Sequence, residues 1–148
     1  MKNWKKGRGK LGLFDPLIGN WICNKDSKDR MNPMCTRKFR YDLENNYIIQ
    51  DIKWFLGDKS YDDHTVIGLD SSKTITFWSF TSDGKNATGN LADVSDIHES
   101  AFGFEAVMPA GIARQIFWPD EQEGFHWAVE SKTKKGWNRF VHQHFVKL

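Results

Sequence analysis

The sequence predicts an all-β fold, a closed antiparallel meander barrel of about ten strands. Short runs rich in β-branched and aromatic residues alternate with turn residues at fairly regular spacing over most of the 148 residues. Aromatic residues make up 14% of the chain, and such side chains suit pleated, half-buried surfaces. No repeated βαβ pattern is visible. Closure is expected because an open meander of this size exposes two strand edges.

The predicted elements follow one another with short links. A turn or one turn of helix is expected at 14–19, and the first strand begins near Trp21. The later strands are expected at 35–43, 47–55, 61–69, 74–81, 87–91, 99–107, 112–118, 125–131 and 136–146. Clusters of turn residues separate them, as in the tight hairpin expected at 70–73.

The chain has the length of one domain, with a basic N-terminal tail at 1–13 and a barrel at 14–148. A net charge of +2 argues against a nucleic-acid partner. No apolar stretch has the length of a signal peptide or a membrane span, so a cytoplasmic protein without a membrane partner is expected. Cys23 and Cys35 fall on neighbouring predicted strands, where a bridge is conceivable, but free thiols are expected in a reducing cytosol.

The last predicted hairpin indicates which side chains face inward. If 132–135 is a four-residue loop, Ser131 pairs with Gly136, and cross-strand partners share a face. A loop one residue longer or shorter would change this pairing. The more aromatic face is assigned to the interior, and it carries Phe125, Trp127, Val129, Asn138, Phe140, His142 and His144. The other face is assigned to the exterior, where Glu130 and Arg139 are expected to pair in solvent.

Two motifs resemble those of known barrels. The segment Leu17-Ile18-Gly19-Asn20-Trp21 resembles the Gly-x-Trp opening of calycin-type barrels, lipocalins included. The segment 67–73, followed by Phe77-Trp78, is similar to the Gly-x-Asp hairpin of a bacterial lipocalin-like family of unknown function. The resemblance implies a small calycin-like barrel with an internal cavity, and it implies no established reaction.

A neighbouring family supplies an alternative. The nitrobindin-like haem barrels also open with Gly-x-Trp, and they use a histidine on a late strand as the ligand of the haem iron. This resemblance implies that His142 or His144 would bind the iron. Haem is therefore kept as an alternative cofactor, whereas the preferred interpretation has no cofactor.

The predicted function is the binding of a hydrophobic or amphipathic small molecule inside the barrel. The expected ligand-binding residues are Phe125, Trp127, Phe140, His142 and His144. Among them, His142 is expected to orient the ligand.

Other interpretations stay open. They are an enzyme that uses the same cavity, a filled barrel that serves as a structural or partner-binding module, and a homodimer. No Gly-x-Ser-x-Gly, His-Glu-x-x-His or phosphate-loop motif occurs, so no catalytic residue is predicted. The carboxylate clusters at 62–64 and 93–99 are typical of turns and solvated charge, so no metal ligand is predicted.

Overall fold

The computed structural model describes residues 3–27, 29 and 31–148. Within these residues, a 3₁₀ helix at Lys10–Leu17 precedes ten β-strands. The strands are β1 (Gly19–Cys23), β2 (Cys35–Asp42), β3 (Tyr47–Leu56), β4 (Lys59–Leu69), β5 (Ile75–Thr81), β6 (Asn86–Ala92), β7 (Phe102–Met108), β8 (Gly111–Pro119), β9 (Phe125–Thr133) and β10 (Gly136–Lys147). No helix in the described part of the chain has the length and apolar character needed to cross a membrane.

The ten strands form one closed antiparallel barrel in which every strand pairs with its neighbours along the chain. β1 completes the ring, because it pairs with β2 over its whole length and with β10 at Trp21↔Lys147 and Ile22↔Val146. The closed meander expected from the turn spacing is therefore confirmed.

The 3₁₀ helix closes one end of the barrel. Phe14 is fully buried, and its ring lies 4.7 Å from that of Phe102 and 5.9 Å from that of Phe104. The Trp21 indole donates a hydrogen bond of 2.7 Å to the carbonyl of Leu17, which ties β1 to the helix. The helix begins at Lys10, earlier than the turn expected at 14–19, because Leu11 also packs into the core. Residues 10–13 thus belong to the cap rather than to a separate tail.

The hydrophobic core fills the half of the barrel next to this helix. Trp21, Phe39, Phe117, Phe125 and Phe145 pack there ring against ring, with centroid distances of 5.0–6.3 Å. Such edge-on and offset contacts add to the free energy gained from burial. The turns at 57–58, 82–85, 109–110 and 134–135 lie at the opposite end, since alternate hairpins of a meander share an end.

The final hairpin differs from the sequence expectation in two ways. Thr133 pairs with Gly136, so the turn has only two residues, Lys134 and Lys135. In addition, the pairing shifts between Arg139 and Val141, which makes Phe140 the extra residue of a β-bulge.

The bulge reverses the faces of the second half of β10. The shorter turn moves the register by two residues and leaves the faces unchanged, but the bulge moves it by one more. Val141, Gln143 and Phe145 therefore face inward, whereas His142 and His144 lie on the outer surface. The expected inward orientation of these two histidines is wrong.

Candidate functional site: the interior cavity

A cavity of about 460 Å³ lies in the half of the barrel away from the helix. Side chains from β3 to β10 line it, and the exposed residues Met108, Ala110 and Gly111 stand at its mouth. Its volume falls in the range of small-molecule sites in proteins.

Aromatic side chains form much of the cavity wall. They are Trp54, Phe77, Phe104, Trp127 and Phe140. The Trp127 indole donates a hydrogen bond of 3.1 Å to Oε1 of Gln115, which fixes the plane of the ring. Phe140 is 60% exposed because the bulge turns it toward the mouth. The wall thus offers flat apolar surface from the interior to the rim.

One side of the cavity is polar. Gln50, Thr65 and Ser79 are cross-strand partners on β3, β4 and β5, and Asp63 stands next to them on the inward face of β4. The Thr65 hydroxyl donates a hydrogen bond of 2.7 Å to Oδ1 of Asp63. Burial raises the pKa of Asp63 above its ordinary value. This row can donate hydrogen bonds to a polar group in the cavity and accept them from it.

Arg37 lies behind the inner wall of the cavity. Its Nη1 donates a hydrogen bond of 2.6 Å to Oε1 of Gln50, and its guanidinium stands 4.0 Å from the centre of the Trp127 ring. Phe145 approaches it from the core side, at 5.0 Å. Gln50 and Trp127 line the cavity, so a single layer of side chains separates the positive charge from the open space.

Cys23 and Cys35 are directly paired across β1 and β2 and are buried free thiols. A hydrogen bond from the Cys35 thiol, together with the charge of Arg37, lowers the pKa of Cys23. The same hydrogen bond and burial raise the pKa of Cys35. The pair therefore favours a negative charge on Cys23 rather than on Cys35.

The structure separates the five residues expected to bind a ligand. Trp127 and Phe140 line the cavity, whereas Phe125 is fully buried in the core beneath it. His142 and His144 lie outside, beside His126, with Nδ1 of His126 3.0 Å from Nε2 of His142. Nε2 of His144 lies 2.8 Å from Oδ2 of Asp120. A ligand in the cavity cannot contact these histidines.

The residues around the cavity do not fit haem. The iron ligands expected from the nitrobindin-like resemblance, His142 and His144, face outward. None of the described residues that line the cavity is a histidine, cysteine or tyrosine. Among the described residues, no group of three or more potential ligands has an arrangement that would hold a metal ion.

No family model matches this chain, and no curated protein matches it.

Sequence reasoning missed Arg37 and Gln50, and its assignment of Asp63 to turns and solvated charge is wrong, because Asp63 faces the cavity from β4. The period-two pattern of the strands contains the signal. Arg37 lies two residues from both Cys35 and Phe39, so it shares their inward face. A polar residue at an inward position of a barrel strand marks either a hydrogen-bonded wall or a ligand contact, and only the packing around it distinguishes the two.

Proposed function

We propose that this protein binds a small amphipathic molecule inside its barrel. The observation that carries this function is the division of the interior. The half next to the helix is packed with aromatic rings, whereas the other half contains a cavity of about 460 Å³ that opens to solvent at its mouth. Protein interiors are otherwise close-packed, and voids much larger than a water molecule are few.

The chemistry of the wall supports an amphipathic ligand rather than a purely apolar one. The rings of Phe77, Phe104 and Trp127 would cover an apolar body. The side chains of Gln50 and Thr65 offer hydrogen bonds from the row of polar residues on β3 and β4. Ligand sites commonly combine apolar walls with a few placed polar groups.

Blocking the cavity tests the proposal. Ala87 on β6 lines the cavity and is only partly buried, so Ala87→Trp places an indole in the open space. Asn86 precedes it on the same strand and is exposed, so Asn86→Trp adds the same indole elsewhere. Each protein is titrated with the uncharged dye N-phenylnaphthylamine, and fluorescence reports binding. Circular dichroism and thermal unfolding confirm that each variant is folded.

We expect the wild type and Asn86→Trp to bind the dye equally, and folded Ala87→Trp to bind it at least about tenfold more weakly, a difference of about 1.4 kcal/mol. No binding by the wild type, or unchanged binding by folded Ala87→Trp, would overturn the proposal. Native mass spectrometry of the protein as purified then identifies any molecule that it carries.

A further inference from the structure

Arg37 brings a positive charge into the barrel without an ion pair to any described carboxylate. Its side chain is 0% exposed, and it forms no ion pair with any of the described residues. Cys35, Asp63 and Cys23 attract the guanidinium at a distance, and Asp63 flanks Ile52 in register with Arg37 on the inward face. Burying a charge without an ion pair costs several kcal/mol, so packing alone does not explain why an arginine occupies this position.

Most donors of this guanidinium lack an acceptor. Only Nη1 has one, the Gln50 carboxamide, while Nε and Nη2 are buried without a hydrogen-bond partner. The faces of Trp127 and Phe145 stabilise the charge through cation–π contacts. Such contacts leave the N–H groups in the guanidinium plane unfilled. Cys35 lies close by, but a thiol sulfur is only a weak acceptor, so Nε and Nη2 remain open to a stronger one.

Gln50 occupies the place where such an acceptor would reach Arg37 from the cavity. Its side chain lines the cavity and also accepts the 2.6 Å hydrogen bond from Nη1. A carboxamide oxygen is a neutral acceptor. A carboxylate in its place would form charge-assisted bonds, which are about twice as strong, and could engage two nitrogens of the guanidinium at once.

We propose that the inner end of the cavity is a carboxylate site, and that the ligand is an amphipathic carboxylic acid bound head-inward. The head group displaces the Gln50 carboxamide and pairs with Arg37, while the apolar part runs past Trp127 toward Met108 and Phe140 at the mouth. This assignment rests on the proposed function, because it names the class of ligand for the same cavity.

The acidic group on this wall does not oppose an incoming acid strongly. Asp63 is the one carboxylic acid among the described residues that line the cavity. Burial raises its pKa, and its Oδ1 is already bound to the Thr65 hydroxyl. Replacing Asp63 with asparagine should nevertheless remove a competing negative charge and strengthen the binding of an acid.

The test compares decanoate with decanol as competitors of the uncharged dye, because the two differ only in the head group. Arg37→Met removes the charge and keeps an apolar side chain of similar length. Because Arg37 forms no ion pair with a described carboxylate, this substitution leaves no carboxylate buried without its partner, so the variant should fold. Lys135→Met, at the exposed hairpin tip, is the matched control for the loss of one positive charge.

We expect the wild type and Lys135→Met to bind decanoate at least about tenfold more tightly than decanol. Arg37→Met should lose this preference and bind decanoate no more tightly than decanol. Asp63→Asn should tighten the binding of decanoate alone, which keeps the test decisive if Arg37→Met does not fold. Equal affinities of the wild type for acid and alcohol, or a preference that persists in Arg37→Met, would overturn the assignment. These outcomes differ from failure of the proposed function, because in that case the wild type does not bind the dye at all.

Discussion

Arg114 and Glu130 face each other across β8 and β9 on the outside of the barrel, and they form an ion pair of 2.7 Å in which both side chains are almost fully buried (3% and 5% exposed). Asp96, from the segment between β6 and β7, adds a second contact to Arg114 at 2.8 Å. Arg139 donates a hydrogen bond of 2.9 Å from Nε to the other oxygen of Glu130. The network therefore joins this segment and the last three strands.

Neutralising Glu130 should destabilise the fold substantially. In Glu130→Gln, Arg114 keeps Asp96 but loses its buried partner, and removing one member of a buried pair typically costs about 3 kcal/mol or more. Urea unfolding measures the change in the free energy of unfolding. Arg40→Gln is the control, because the pair of Arg40 with Asp42 is exposed and 3.8 Å long, and it should cost less than about 1 kcal/mol. Equal effects of the two substitutions would show that the buried network contributes no more than a surface pair.

The orientation of Glu130 was predictable from the sequence, but its burial was not. Strand alternation correctly placed Glu130 and Arg139 on the outer face, where they do pair. The expectation that they pair in solvent fails for Glu130, because it is buried together with Arg114. Alternation reports which face of a sheet a residue occupies, but not whether another segment covers that face.

The imidazoles of His126 and His142 should titrate below the ordinary value of 6.5. Partial burial lowers the pKa of both, and the positive charges of His144 and Arg139 lower them further. NMR titration of the ring nitrogens measures both midpoints. His144→Gln should raise them, since it removes a neighbouring positive charge, whereas His64→Gln on the distant strand β4 should leave them unchanged. Midpoints at or above 6.5 in the wild type would contradict the expected lowering of both pKa values.

These histidines also give stability a defined dependence on pH. Because their pKa values are lower in the folded than in the unfolded protein, the unfolded chain binds more protons below about pH 6.5. The stability that the neutral rings contribute is therefore complete above that pH and declines as the pH falls through the lowered values. Unfolding free energies of the wild type, measured from pH 7.5 to pH 5, should decrease more steeply than those of a variant with His126→Gln and His142→Gln together.

The fold was predictable from the sequence because its determinants are local. Turn residues at 44–46, 57–58, 70–73 and 82–85 mark four hairpins, and each interval between them holds a single strand. The inward face of β10 was not predictable in the same way. It depends on the bulge at Phe140, and one extra residue reverses every later side chain.

The candidate site was partly predictable for the same reason. Trp127 lies on the strand that precedes the bulge, and its inward orientation follows from alternation alone. Arg37 lies in the basic segment Thr36-Arg37-Lys38-Phe39-Arg40, whose composition does not indicate which of its three basic residues faces inward. Its burial depends on Trp127, Gln50 and Phe145, which lie far from it in sequence.

The pKa values of the two thiols should be shifted in opposite directions from their ordinary value of 9.0. Cys23 accepts a hydrogen bond from Cys35 and lies near the positive charge of Arg37, and both effects lower its pKa. Cys35 donates that hydrogen bond and is buried, so its pKa is raised. In protein labelled with ¹³C at the cysteine Cβ atoms, the Cys23 signal should shift below pH 9, while that of Cys35 should stay constant as long as the protein is folded.

Single substitutions separate the two causes of the shift at Cys23. Cys35→Ala removes the hydrogen bond and should raise the midpoint of Cys23, and Arg37→Met should raise it through the lost charge. Lys135→Met serves again as the control, because its side chain is exposed at the far hairpin tip and should leave the midpoint unchanged. If Cys35 titrated first, or if both thiols titrated together at 9.0, the hydrogen bond between them would have to run in the other direction or be absent. A midpoint that responds to Arg37→Met would also show that the buried guanidinium is charged, which is the property that the carboxylate site requires.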